Sequence, residues 1–366
     1  MNNQTKEKYS NIDKPFDPKR IDIQTKQMML ELIFRRLRNN EIDLLTDFQR
    51  KDDLWNETQQ SKLIESILIR LPLPAFYFDG NDDDKWLVVD GLQRLTTFKK
   101  FIIDNQGKGF KLQNLEYLTQ FNDKTFDELP RDLQRRIEEY EILVYIINPG
   151  TPADVKYNIF KRINTGGLIL TPAEIRHALN QGTAANFIKE LSQLKEFKEA
   201  TNNSISSQRM LDRDYVTRFV AFYLHPANEY KESMDEYLNS TMSKLKKIDS
   251  SKLGEIKQSF INSMKTAQLI FDNDAFRKRY KQTDDRKKLS KTLFEVWSVL
   301  LSQLTKKQQQ TLINNAESVK QDFMELLNND KTFEKAITTG TAGKGRVIER
   351  FDKIYKLINN ILNNND

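Results

Sequence analysis

Apolar residues recur with two different periods in the N-terminal half of the chain. Short apolar runs at AFYFDG (75–80) and KWLVVDG (85–91) flank a polar NDDD turn, which predicts a β-hairpin, and EILVYIIN (141–148) predicts a buried strand. Helical spacing surrounds them, beginning with QTKQMMLELIFRRLRNN (24–40), which predicts the first helix. LQRLTTFKKFIIDN (92–105) predicts a helix directly after the second strand. Strands and helices mixed in this way indicate an α+β or α/β fold.

The second half of the chain has helical spacing only. From about Gly182 onward no strand pattern stands out, and segments such as RDYVTRFVAFYL and KTLFEVWSVLLSQL place apolar residues on one helical stripe. We therefore predict an α+β protein with three parts. They are a polar arm at 1–25, a mixed domain at 26–182 and an all-helical domain at 183–366.

Composition narrows the possible chemistry. The 366 residues include no cysteine, which excludes disulfides and Cys-ligated zinc, and only two histidines, His177 and His225. The formal net charge of +6 favours polyanions without identifying one. No stretch approaches the roughly 20 apolar residues that span a bilayer, and the polar N-terminus has no signal-peptide core, so we expect a cytoplasmic protein without a membrane partner.

The segment VVDGLQRLTTF carries the most informative candidate chemistry. A strand that ends at Asp90-Gly91 and leads straight into a helix presents free backbone N–H groups and a positive dipole end, which suits a phosphate. Arg94 adds a bidentate donor, the hydroxyls of Thr96 and Thr97 add hydrogen bonds, and Asp90 faces a metal ion or a water molecule. A purely structural interpretation, in which Asp90 caps the helix and Arg94 pairs with an acid, is equally compatible with the spacing.

Two other segments contribute weaker candidates. Gln49 and Arg50, in TDFQRKDD, repeat the Gln-Arg pair of the first motif, although such a tripeptide is common on surfaces. Asn164 opens the NTGG turn, which leads to Thr171-Pro172, a predicted N-cap and first helical residue with Glu174 at the capping-box position.

Together these motifs resemble the family that forms the N-terminal half of GmrSD-type restriction endonucleases. The resemblance rests on FQR, SKLIESILIRLPLPAFYF, WLVVDGLQRLTTF and FKRINTGGLILTPAEIRHAL in that order, over about residues 30–180. The family's DGQQR motif reads DGLQR here, with Leu92 in place of the first Gln. The resemblance implies a fold similar to ParB and sulfiredoxin, with binding and hydrolysis of a nucleoside triphosphate.

The resemblance also assigns roles to particular residues. Asp90, Gly91, Gln93 and Arg94 match the nucleotide-binding motif, and Asp90, Gln93 and Arg94 are the catalytic candidates. Gln49, Arg50 and Asn164 are weaker nucleotide-binding candidates by the same resemblance, and Thr96 and Thr97 are candidates by their place on the helix after the corner. We expect Mg²⁺ or another divalent cation to accompany the phosphates, with Asp90 as its protein ligand.

Three functions remain open from the sequence. The first is an NTP-binding and NTP-hydrolysing component of an anti-phage or modification-dependent restriction system that acts on or senses DNA. The second is a non-enzymatic ParB-like DNA-binding module, and the third is a metal-dependent nuclease, for which no paired carboxylate motif stands out. Because the C-terminal helices lack the His-rich pattern of an HNH nuclease, we expect any cleavage to come from a partner subunit. A homo-oligomer also remains open.

Overall fold

The chain divides into two compact units, Met1–Leu170 and Thr171–Asp366. The structure is a computed structural model, and it describes residues 21–44, 55–80, 85–104, 110–163, 170–231 and 233–364. Within these ranges no helix combines the length and apolar character that crossing a membrane requires. The mixed first unit and helical second unit confirm the predicted α+β class.

A five-stranded mixed sheet forms the centre of the first unit. Its strands are β1 (Ile23–Met29), β2 (Ile42–Asp43), β3 (Phe76–Asp79), β4 (Trp86–Asp90) and β5 (Glu141–Ile147). Their order in the sheet is β1-β5-β3-β4-β2, with β1 antiparallel to β5, β3 parallel to β5 and β2 parallel to β4. The antiparallel pairing of β3 with β4 confirms the predicted hairpin.

The first predicted helix is wrong in its N-terminal part. Residues 23–29 form β1, and helix α1 covers only Leu30–Arg38. All seven residues of β1 pair with β5, from Ile23 opposite Ile147 to Met29 opposite Glu141. The polar QTKQ stretch lies at the edge of the sheet, mostly exposed, where polar side chains are tolerated. Pairing with β5, more than a hundred residues later in the chain, makes this segment a strand. Local apolar spacing does not predict such a pairing.

Four further α-helices lie in the described part of the first unit. They are α2 (Glu57–Leu68), α3 (Leu92–Phe98), α4 (Arg131–Glu138) and α5 (Ala153–Ile163), and a π-helical turn, Lys99–Ile103, continues α3. The core contains side chains from the strands and helices together, including Phe34, Ile64, Phe76, Phe78, Trp86, Phe98, Phe101 and Val144. This packing fixes the position at which β4 ends and α3 begins.

The described residues of the second unit are largely helical, which confirms the predicted helical half. Its helices are α6 (Pro172–Ala178), α7 (Thr183–Gln193), α8 (Lys195–Ala200), α9 (Leu211–Leu224), α10 (Met234–Leu245), α11 (Ser250–Phe271), α12 (Lys291–Ser302), α13 (Lys306–Asn314), α14 (Ala316–Asn329), α15 (Lys331–Thr338) and α16 (Lys344–Asn363). The one extended pairing in this described part is a single bridge between Arg277 and Leu289. An aromatic core holds the helices together, including Phe219, Phe260, Phe294 and Trp297.

A buried ion pair lies inside this helical core. Arg350 of α16 and Glu295 of α12 are both fully buried, and their side chains form a salt bridge. Arg350 Nη1 also donates to the carbonyl of Thr341 at 2.7 Å, and the second Glu295 oxygen accepts from Arg218 of α9 at 2.9 Å. Three helices are therefore joined by charged hydrogen bonds as well as by apolar packing.

Candidate nucleotide site at the strand-to-helix corner

The chain turns sharply between β4 and α3 at Gly91. The backbone of Gly91 has φ +103°, in the left-handed region that favours glycine. A Cβ atom at this position would clash with Cδ1 of Phe76, well inside van der Waals contact. Both the backbone angle and the close approach of the Phe76 ring therefore require glycine at this corner.

Arg94, on the first turn of α3, is bound to the segment that directly precedes β3. Its Nη1 donates to the carbonyl of Pro74, and its Nη2 donates at 3.1 Å to the carbonyl of Ala75 and at 3.1 Å to Oδ2 of Asp90. The guanidinium carbon lies 4.1 Å from the centroid of the Phe76 ring, in a cation–π contact. Three of the five N–H donors of Arg94 thus hold the corner together.

Asp90 is the more open member of this ion pair. Its side chain is 22% exposed, against 10% for Arg94. Burial raises the pKa of Asp90, and the charge of Arg94 and the Gly91 N–H oppose that rise. Burial also lowers the pKa of Arg94, against the effect of Asp90. The corner therefore presents a carboxylate to solvent beside a guanidinium that packing and hydrogen bonds hold in place.

The other candidates on α3 differ in their surroundings. The Gln93 Oε1 atom accepts a hydrogen bond from the backbone N–H of Trp55 at 3.1 Å, which ties the start of α2 to the corner. The Thr97 hydroxyl donates to the Gln93 carbonyl at 2.8 Å. The Thr96 hydroxyl is buried and has no hydrogen-bond partner among the described residues. No side chain caps the N-terminus of α3 in the described chain.

Three predicted residues lie outside the described residues. Gln49, Arg50 and Asn164 fall in 45–54 and 164–169, so their proximity to the corner stays a prediction. The predicted cap of α6 is confirmed. Thr171 Oγ1 accepts from the N–H of Glu174 at 3.2 Å, and Glu174 Oε2 accepts from the N–H of Thr171 at 2.6 Å.

The described residues contain no group of three or more His, Asp or Glu side chains placed to hold a metal ion. Of the described residues at the corner, Asp90 offers a partly exposed carboxylate. Magnesium in phosphate-transfer sites commonly takes one or two protein carboxylates and completes its shell with phosphate oxygens and water. A single carboxylate beside a phosphate position therefore fits Mg²⁺ bound with a nucleotide better than Mg²⁺ bound by the protein alone.

The sequence pattern did not predict the groups that accept hydrogen bonds from Arg94 or pack against it. The carbonyls of Pro74 and Ala75 and the ring of Phe76 belong to LPLPAF, which predicts only the end of a helix and the start of a strand. Tyr77, paired with Asp90 across the hairpin, stacks on Tyr145 with ring centroids 4.8 Å apart. No local sequence pattern identifies these residues, because each of them contacts a strand or helix that lies later in the chain.

A separate cavity of about 780 Å³ opens between α4, β5 and the end of α2. Arg70, Arg135, Arg136 and Tyr140 line it together with acidic and apolar side chains. It includes none of the residues predicted from sequence, so we do not associate it with the corner.

The fold and the corner define the first unit as a mixed α/β domain built around a fixed Asp-Gly-Leu-Gln-Arg turn. Residues 30–181 match the family described as the GmrSD restriction endonuclease, N-terminal domain. This region of the chain is therefore similar to a domain of restriction endonucleases. Comparison with curated proteins and with solved structures finds no match.

Proposed function

We propose that the chain binds and hydrolyses a nucleoside triphosphate at the β4–α3 corner, as part of a restriction system that acts on or senses DNA. The observation that carries the proposal is the corner itself. Gly91 is required by its φ and by the Phe76 ring, Arg94 is fixed, and Asp90 remains partly exposed, all inside the region that matches the restriction family.

Each residue of the corner has a role in this proposal. The first N–H groups of α3 and its dipole attract the phosphates, and Asp90 holds Mg²⁺ or orients the attacking water. Mg²⁺ supplies charge neutralisation of the phosphate oxygens when it is bound. Because Arg94 already donates to Pro74, Ala75 and Asp90, its main role is to position the Asp90 carboxylate. Gln93 and the Thr96 hydroxyl are further contacts from the same helix.

The test is phosphate release by the purified full chain. A panel of nucleoside triphosphates is assayed with Mg²⁺, with and without modified DNA. We expect release by the wild type and at least a tenfold loss in Asp90→Asn, because removing a charge that acts at the phosphate costs a factor of this order or more. Nucleotide binding is measured in parallel by calorimetry.

Asp104→Asn is the matched control, since Asp104 is an exposed carboxylate on the same helical segment and pairs only with Lys99 among described residues. Thermal unfolding of all variants checks that each is folded. If the wild type neither binds nor hydrolyses any of the nucleotides, the proposal is wrong.

The alternative is a non-enzymatic DNA-binding module. It predicts DNA binding that depends steeply on salt and is unaffected by nucleotide. The same assay, extended to DNA affinity with and without nucleotide, separates the two functions. For a metal-dependent nuclease, the described residues offer no cluster of metal ligands, and nothing in their arrangement favours it.

A further inference from the structure

The positive charge of the chain is concentrated in one loop of the helical unit. Residues 277–290, which we call the basic loop, form the last part of the connection from α11 to α12 and read RKRYKQTDDRKKLS. They contain seven Lys and Arg residues against two Asp residues, a formal charge of +5. Since the whole chain has a net charge of +6, the rest of it has a net charge of only +1.

Arg277, at the base of the basic loop, is a buried guanidinium without an acidic partner among the described residues. It is 5% exposed. Its hydrogen bonds go to neutral acceptors, namely the carbonyls of Asn273 and Lys287, the carbonyl of Thr201 and the hydroxyl of Ser204. Buried charges are usually paired with an opposite charge, so the uncompensated charge of Arg277 is unusual.

A second arginine converges on the same hydroxyl. Arg286 Nη2 lies 3.0 Å from Ser204 Oγ, and Arg277 Nη2 lies 2.8 Å from it. With the Asn202 amide oxygen turned toward Arg286, that oxygen also accepts from both guanidinium nitrogens, at 2.9 and 2.8 Å. Burial, together with the charge of Arg286, lowers the pKa of Arg277. The two arginines therefore create a local excess of positive charge that no described carboxylate neutralises.

Hydrogen bonds inside the basic loop hold its shape. Arg279 donates to the carbonyls of Lys281, Gln282 and Asp284, and Asp284 Oδ2 accepts from the N–H of Tyr280 at 2.8 Å. The Arg277–Leu289 bridge closes the base of the loop. Three lysines on this frame, Lys281, Lys287 and Lys288, are exposed and form no salt bridge with a described residue.

We propose that the basic loop binds the phosphodiester backbone of a nucleic acid. The exposed guanidinium of Arg286 matches phosphate oxygens, and exposed lysines spread over one ordered loop can contact successive phosphates. Arg277 is buried and adds its uncompensated charge from below. A single free phosphate would use only Arg286, and it would leave the three lysines without a ligand. The inference deepens the proposed action on DNA by placing a contact in the helical unit, and it does not require nucleotide hydrolysis.

The test compares two double variants of the full chain. Lys287→Gln with Lys288→Gln removes two charges from the basic loop, and Lys247→Gln with Lys306→Gln removes two exposed charges elsewhere in the same unit. The binding of a labelled duplex of about 20 base pairs, a length that covers roughly two helical turns, is measured by fluorescence anisotropy over a series of salt concentrations.

Each lysine–phosphate contact contributes about 0.9 to the slope of log affinity against log salt, so the loop variant should lose about 1.8 of that slope. At about 0.1 M salt its affinity should fall on the order of tenfold or more. The control pair should keep the wild-type slope. An equal loss in both pairs, or no binding by the wild type, overturns the proposal.

Competition identifies the ligand. Unlabelled duplex or single-stranded DNA should displace the labelled duplex, whereas ATP or poly-glutamate at the same concentration of negative charge should not. Displacement by ATP would assign the loop to a mononucleotide, and displacement by poly-glutamate would assign it to an acidic protein, and either result overturns the proposal. The loop variant should release phosphate from nucleotide at the wild-type basal rate, so failure of this inference is distinguishable from failure of the proposed nucleotide site.

Discussion

The two units contain arginines in opposite electrostatic settings. At the corner of the first unit, Arg94 has Asp90 as a counter-ion, two backbone carbonyls and an aromatic face. At the base of the basic loop in the second unit, Arg277 and Arg286 share the hydroxyl of Ser204 and have no described acid beside them. The first arrangement uses a positive charge to build a site. The second leaves an excess of positive charge, and its exposed member, Arg286, can meet a ligand.

The helical core adds a third setting, in which charge is structural. Arg350 and Glu295 are fully buried and paired, and Glu295 also accepts from Arg218. Arginines that stabilise the fold thus have an acidic partner, whereas arginines that can attract an anion have none. Of the four predictions that follow, three test this distinction and one tests the packing that holds Arg94 at the corner, beginning with the largest effect.

Replacement of the buried arginine should have the largest effect on stability. Arg350→Met leaves Glu295 in the core with only Arg218 as a charged partner, and it removes donors to the Thr341 and Ala336 carbonyls. We expect the free energy of unfolding to fall by roughly 3–5 kcal/mol, because an uncompensated buried charge is costly. Urea unfolding followed by circular dichroism measures it. Lys356→Met, which breaks an exposed pair with Asp352, should cost less than about 1 kcal/mol, and a similar cost for both variants would contradict a structural role for Arg350.

The corner should tolerate no side chain at its glycine. Gly91→Ala places a Cβ against the Phe76 ring and forces an alanine to φ +103°. We expect a loss of roughly 2–4 kcal/mol in unfolding free energy, from backbone strain and overpacking together. Gly150→Ala, at an open position of the same unit, is the control and should be near neutral. A stable Gly91→Ala variant would show that Arg94 and Phe76 do not pack as described.

The basic side chains around Asp214 in the helical unit should also make the stability of the protein depend on pH. Burial alone would raise the pKa of Asp214, but Arg218, Lys291 and Arg176 outweigh burial and bring it to about 2. A depressed folded-state pKa stabilises the protein above the unfolded value, and this stabilisation is lost as the pH falls toward the folded value. Asp214 should therefore contribute roughly 2 kcal/mol above about pH 4, and progressively less from pH 4 down to pH 2.

Asp214→Asn tests that dependence through urea unfolding at several pH values. The gap in unfolding free energy between wild type and variant should narrow below pH 4, whereas Asp352→Asn, at an exposed carboxylate, should show a small and constant gap. A gap for Asp214→Asn that is constant from pH 6 to pH 3 would contradict the low pKa.

The smallest effect on stability should come from placing an acidic side chain beside the arginines of the basic loop. Ser204→Asp puts a carboxylate at the exposed position where Arg277 and Arg286 converge, and it should stabilise the protein by up to about 1 kcal/mol, the range for an ion pair with the exposed Arg286. The same change should weaken the binding of duplex DNA, since it neutralises the phosphate position. Ser204→Asn, which adds bulk without charge, is the control. Unchanged DNA affinity in Ser204→Asp would mean that the arginine pair does not contact the ligand.

The sequence located the corner because its signal is local. A strand pattern that ends in Asp-Gly and runs into a helical pattern places Asp90, Gly91 and Arg94 within one turn of each other. The partners of Arg94 lie 19 and 20 residues earlier in the chain, and their carbonyls bear no sequence signature. Strand β1 was not predicted for the same reason, because all seven of its residues pair with β5, which is distant in the chain.

Residue types and short-range periodicity therefore determined the α+β class, the hairpin, the helical second half, the cap at Thr171 and the place of the candidate corner. The tertiary structure alone decided which charges are compensated. Asp90 neutralises Arg94 from within the same motif, but Glu295 reaches Arg350 across 55 residues, and Arg277 meets Arg286 at a serine more than 70 residues away. Electrostatic energy depends on distance and burial in space, and neither is encoded by separation along the chain.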